Sequence, residues 1–207
     1  MGSIDKRVSG RPRAIEKSSA LSTRDEILQA SVKLFTQFGF KGTTTRMIAE
    51  AVGIRQPSLF NHFKKKNDIL AALVEEGATT FFKYLEALDL EAGAPDDLLI
   101  TIVEFDVAFL LTEPWGIKQI LALPEVKSGE LQGLVSKKYE QILAVYKRVI
   151  QRGIEAKQFQ VNDVDLAATT LIGMVESVWL RFQLGLDCDR EFVSNQIAKM
   201  AVASISR

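Results

Sequence analysis

Apolar residues return every three or four positions from about residue 22 to the last turn of this chain, and no useful stretch alternates with the period of two that a half-buried strand requires. The pattern predicts an all-α protein. Ser22 or Thr23 is placed to cap a first helix that runs to about Phe38, with Ile27, Ser31, Leu34, Phe35 and Phe38 on its inner face and Gly39 ending it. Two short helices then flank Gly53. Thr44 opens the first, whose inner face is Met47, Ile48 and Ala51; Arg55-Gln56-Pro57-Ser58 opens the second, and Leu59 and Phe63 pack it back. A longer helix from about Asn67 has the stripe Leu70, Leu73, Val74, Phe81, Leu85 and Leu88, with Gly77 inside it either as a flexing point or as a place of close packing.

Pro95-Asp96-Asp97 starts the next helix well, since proline tolerates the first turn and the aspartates complement the positive end of the dipole. From Leu98 to Leu111 that helix is apolar on nearly every side, which predicts burial at the centre of the larger part of the molecule. Glu113-Pro114-Trp115-Gly116 interrupts it, and a short helix near Ile117 to Leu123 follows. Further helices are expected over about 129–156, 163–184 and 189–206. The last two carry more apolar surface than one neighbour covers: Ala167, Leu171, Met174, Val178 and Phe182 on one, Phe192, Val193, Ile197, Met200 and Ala201 on the other. Either they seal the monomer core or two copies join there as a four-helix interface.

Two short helices around a glycine turn are the arrangement that sets a second helix into the major groove of DNA, its N-terminal side chains at the base edges. Arg55, Gln56, Ser58 and Asn61 are the candidate readers, because arginine pairs bidentately with guanine and glutamine with adenine. Arg55 serves equally well as a phosphate contact. Pro57 shapes the first turn or touches a thymine methyl, and His62 faces phosphate or steadies the turn. Thr44, Thr45, Arg46 and Lys66 are candidate phosphate contacts at the starts of neighbouring helices.

Charge supports this placement. The chain has 26 basic and 26 acidic residues and no net charge, an unpromising balance for a nucleic-acid binder. Yet residues 1–70 hold 13 of the basic and only 6 of the acidic groups, +7, so the other 137 residues carry −7. A basic head on an acidic body confines the attraction for phosphate to one end. Residues 1–20 read as a flexible basic arm in which Arg11 and Arg13, spaced by Pro12, either enter a narrow minor groove or belong to a solubilising tail.

The string Thr44, Ile48-Ala49-Glu50-Ala51, Gly53-Ile54 and Leu59-Phe60-Asn61-His62-Phe63 followed by Lys66 resembles the DNA-binding domain of the TetR family of bacterial transcriptional regulators. The resemblance is close from about Leu21 to Leu70 and thereafter lies in helical organisation and length. It implies a homodimer with an N-terminal three-helix domain containing a helix-turn-helix, followed by a C-terminal helical ligand-binding and dimerisation domain. The corresponding divisions are an arm over 1–20, a DNA-binding domain over 21–68 and an effector-binding and dimerisation domain over 69–207. The implied function is a sequence-specific regulator of transcription, a repressor released from a palindromic operator by a small-molecule effector, its homodimer formed through the last two helices. Phe60 stands where the family usually has tyrosine, removing a phenol–phosphate contact, and Arg55 where it often has a capping serine or threonine.

Apolar groups on the later helices that could line an effector cavity are Phe105, Phe109, Trp115, Met174, Trp179 and Phe182. Glu104 and Asp106 interrupt an otherwise greasy helix, as Glu176 and Arg181 do another; they orient a polar ligand, pair with one another or mark solvent edges. The lone Cys188 excludes an internal disulfide, and with His62 it makes neither a metal site nor a nucleophile–base pair. No nucleotide-cradling glycine loop occurs, so no catalytic centre, metal or cofactor is expected. No unbroken apolar run, Ile69 to Val74 and Val107 to Leu111 included, is long enough to span a bilayer, and a cytoplasmic protein is expected. A non-specific architectural DNA-binding protein and a helical enzyme with an unrecognised site are the alternative functions.

Overall fold

The structure is a computed structural model that describes residues 21–77, 79–112, 116–186 and 189–207. Among these it contains the helices α1 (Thr23–Gly42), α2 (Thr45–Val52), α3 (Gln56–His62), α4 (Lys66–Glu76), α5 (Thr79–Ala87), α6 (Pro95–Thr112), α7 (Ile117–Leu121), α8 (Pro124–Lys127), α9 (Gln132–Glu155), α10 (Val164–Gln183) and α11 (Arg190–Ile205), and no strand, only an isolated bridge between Phe159 and Ser206. No helix of the described residues is long and apolar enough to cross a membrane. The arm, with Arg11 and Arg13, lies outside the described residues, as do Trp115 and Cys188.

Local chemistry sets the N-terminal helices. Ser22 caps α1 reciprocally with Asp25: the Asp25 amide donates to Ser22 Oγ, and the Ser22 amide donates to the Asp25 carboxylate. Gly39 breaks the helix as expected, at φ 70°, although a further turn follows it to Gly42. Buried Thr43 closes that break by donating its hydroxyl to the carbonyls of Leu34 and Gly39 at 3.0 and 2.9 Å. Thr44 caps α2 through the Met47 amide, and Gly53 ends α2 in the left-handed region with its N–H on the carbonyls of Ala49 and Glu50.

Two apolar cores result. The first gathers Ile27, Leu28 and Phe35 of α1, Ile48 of α2, Leu59 of α3 and Ile69, Leu70 and Leu73 of α4. It is completed by Ile120 of α7 and Val126 of α8, with Leu131, Leu134 and Val135 near the start of α9 packed against it. The second is built on α6, whose Leu99, Ile102, Val103 and Val107 are wholly buried among α9, α10 and α11. The helix expected to be greasy all round is indeed the centre of the body.

Several details differ from the sequence pattern. Phe38 is 48 % exposed and Ala51 lies on the surface, because Leu28, Val32 and Ala49 fill the space assigned to them. The single helix expected from about Asn67 to Leu88 is two, α4 ending at the cap Gly77 and α5 beginning at Thr79. Pro124 starts an extra short helix, α8, after α7. Glu91, in the loop before α6, is gripped by Arg148 of α9 at 2.7 Å, and Arg152 donates to the carbonyls of Leu90 and Gly93.

Candidate functional site

The helix pair presents its polar residues together. Leu59 anchors α3 in the first core, and Arg55, Pro57, Ser58, Phe60, Asn61 and His62 are exposed on the other side. Arg55 occupies the N-cap position of α3 and makes no side-chain capping bond, which leaves its guanidinium free of the helix it begins. Half-buried Gln56 donates from Nε2 to Thr45 Oγ1 at 2.8 Å, joining the first turn of α3 to the first turn of α2. Thr44 and Thr45 therefore stand beside the start of α3, with the Thr44 hydroxyl capping α2 and the Thr45 hydroxyl holding Gln56. Arg46 is held by Glu50 at 2.9 Å in a solvent-exposed pair, a weak restraint that a phosphate readily displaces.

Lys66 departs from the expectation of a phosphate contact. Its ammonium donates to the carbonyls of Phe40 and Thr43 at 2.5 and 2.6 Å and lies 4.3 Å from the centre of the Phe40 ring. It ties off the end of α1, where carbonyls lack partners within the helix. Desolvation holds this amine below the usual lysine range. The neighbouring Lys64 and Lys65 are exposed and carry the outward-facing charge of this turn. Arg24 forms a bidentate ion pair with Glu76 and lies over the Phe63 ring, fastening α1 to α4.

A cavity of about 120 Å³ opens among α4, α5, α6, α7, α9 and α10. Its wall is mainly hydrocarbon and aromatic, with Phe81, Phe109, Ile142 and Val175 prominent. Of the apolar candidates, Phe109 lines it directly, its ring 5.2 Å from that of Phe81. Phe105 stacks on Tyr84 and on Phe81, one layer behind. Met174 packs against the second core, and Trp179 is half-buried on α10 without lining the cavity. The side chain of Phe182 is not described.

The polar groups of the cavity were legible only as charges out of place. Asp106 is 7 % exposed and accepts a hydrogen bond from Tyr146 Oη at 3.1 Å. Burial pushes its carboxyl up to about 6, against the opposing pull of Tyr146 and Lys118. Glu176 pairs with Lys118 of α7 at 2.6 Å. Glu104 accepts from Asn195 of α11 instead, and Arg181 is exposed. Lys138 of α9 lies over the Phe82 ring, its amine lowered by desolvation. Lys118, Lys138 and Tyr139 escaped the sequence reading because they come from helices whose register against α6 is a tertiary fact. No group of histidines, cysteines and acids among the described residues could hold a metal ion.

Comparison with known proteins places these features. Residues 27–73, the whole helix pair with its flanking turns, match the family described as bacterial regulatory proteins, tetR family. The chain is 29 % identical over 154 residues to an uncharacterized HTH-type transcriptional regulator, YhgD, of Bacillus subtilis, covering 70 % of this chain and 76 % of that protein. It is 27 % identical over 157 residues to the HTH-type transcriptional repressor KstR2 of Mycolicibacterium smegmatis, with coverage of 72 % and 74 %. The crystal structure of AmtR from Mycobacterium smegmatis superposes with a TM-score of 0.72 at 26 % identity, covering 93 % of this chain and 89 % of that one. A capped helix, a left-handed glycine and an exposed polar α3 thus coincide with the stretch that the tetR-family match covers, and the chain is a DNA-binding transcriptional regulator that carries the N-terminal domain of that family.

Proposed function

We propose that this regulator is a homodimeric repressor that reads a palindromic operator through the start of α3 and releases it when a small molecule fills the cavity of the body. The observation that carries the reading is the exposed row Arg55, Ser58 and Asn61, with Gln56 set beside it by Thr45. Arg11, Arg13, Thr44, Arg46, Pro57 and His62 complete the proposed contacts. Residues 21–68 act as the head, residues 69–207 as the body, and access to DNA requires the cytoplasm.

Dimerisation through α10 and α11 is supported by their surplus apolar surface. Leu166 and Phe192 are 64 % and 61 % exposed, and Leu180, Leu184 and Met200 also reach solvent. Covering such groups favours association. A two-fold axis between bodies sets the heads about 34–36 Å apart on successive major grooves.

Effector control is supported by shared walls. Val74 of α4, Leu121 of α7 and Val135 of α9 line the cavity and also belong to the first core or pack against it. A ligand that repositions them shifts α4 and α7 beneath the reading helices. Coupling follows if the ligand prefers one arrangement, by about 1–3 kcal/mol in typical cases. Selection of bound sequences from a random DNA pool tests this function: an inverted repeat supports it, and retention of DNA without sequence preference points to an architectural protein instead.

A further inference from the structure

We propose that the cavity selects an apolar molecule whose polar end is a hydrogen-bond donor, a hydroxyl or a protonated amine, delivered to the carboxylate of Asp106. The proposal rests on the effector reading above and adds the chemistry of the ligand. An ionised carboxylate offers about four acceptor positions, and Tyr146 Oη occupies one of those on Asp106. The residue is 7 % exposed, so the remaining positions open only toward the cavity. A ligand donor that enters the cavity can take those positions in place of water.

The surrounding charges point the same way. Lys118, the cation that acts on Asp106 from α7, is already bound to Glu176 of α10 at 2.6 Å. From α9 come Tyr146, which donates, and Lys138 and Tyr139, which are more exposed than Asp106. The cavity residues of α5, Phe81 and Phe82, are uncharged. A ligand carboxylate reaching the enclosed end would meet a like charge there, or force Asp106 to take up a proton. Its competing anchors among the described lining residues outside an ion pair are the Lys138 ammonium, which is half-solvated, and the Tyr139 hydroxyl, which is exposed, and solvent weakens any contact either makes. The enclosed acceptor therefore outweighs the wet cation.

Three probes with one hydrocarbon tail separate the possibilities: octylamine, 1-octanol and octanoate, titrated calorimetrically into the full chain at neutral pH. The two donors are expected to bind at least about tenfold tighter than octanoate, since a charge-assisted bond to an enclosed carboxylate is replaced by repulsion. Asp106→Asn, which keeps shape and volume, should shrink that preference to about threefold or less. Octanoate binding as tightly as the donors overturns the donor assignment, as does a preference that survives Asp106→Asn. Failure of all three probes to bind, or unchanged binding in Ile142→Trp and in the milder Ile142→Phe, overturns the cavity reading itself rather than the ligand chemistry.

Discussion

The amide nitrogen of Gln56 donates to the hydroxyl of Thr45 at 2.8 Å, so the first turns of α2 and α3 share a single hydrogen bond across the glycine turn. This fixes the side chain that is best suited to an adenine edge before DNA arrives, which removes an ordering cost from binding. Thr45→Val keeps the shape and deletes the acceptor. Operator affinity should fall by about 1 kcal/mol, roughly fivefold, with little change in melting temperature. Arg55→Ala and Gln56→Ala should each relax discrimination at one base pair by about 1–3 kcal/mol. Binding measured against operator variants at fixed salt checks both.

Lys66 and its neighbours should separate cleanly. Lys66→Met retains the hydrocarbon stem but strips the donor from two carbonyls at the end of α1, and a loss of about 1–2 kcal/mol of stability is expected, seen in denaturant unfolding. The salt dependence of DNA binding should hardly change. Replacing exposed Lys64 and Lys65 with alanine removes four charges from the proposed dimer and should do the reverse, flattening the slope of log affinity against log salt by about four while leaving unfolding untouched.

Asp106 makes stability depend on pH. Its carboxyl stands near 6 in the fold against 3.8 for the free group, so the folded chain holds that proton more tightly than the unfolded chain does. Stability contributed by this group is complete below about pH 4 and is lost as pH rises through about 6, by up to about 3 kcal/mol. Asp106→Asn removes the dependence. Relative to the wild chain, the variant should therefore gain stability between pH 4 and 7; a constant difference across that range would contradict the assignment.

Gly153 lies inside α9, where alanine would ordinarily strengthen the helix by about 1 kcal/mol. A methyl group there would fall within the ring of Phe159, which is 3 % exposed and cannot retreat. Overpacking wins: Gly153→Ala should destabilise by about 1–3 kcal/mol. The double variant Gly153→Ala, Phe159→Leu should recover part of that loss in thermal unfolding.

What could be read from the chain was what local chemistry decides. Thr44, Gly53 and Pro95 announce helix ends because caps and turns depend on a few adjacent residues. The exposed polar row on α3 was legible for the same reason. Phe38 and Ala51 were misplaced because periodicity gives a stripe but not its edges, and tertiary packing chose Leu28, Val32 and Ala49 instead. Lys66 looks like any surface lysine until the carbonyls of Phe40 and Thr43 are brought to it from more than twenty residues away. The cavity is harder still, being a gap among six helices. Its advance signals were Phe109 among the apolar candidates and two charges out of place on apolar helices, Asp106 and Glu176.

Val74, Leu121 and Val135 turn one side to the cavity and the other to the interior of the reading head. Chemical taste and mechanical soundness are thereby bound into the same three side chains. Enlarging any of them to suit a different guest would disturb the platform on which α3 rests. The opposite wall, where Ile172 and Val175 belong to the core of the body alone, carries no such penalty.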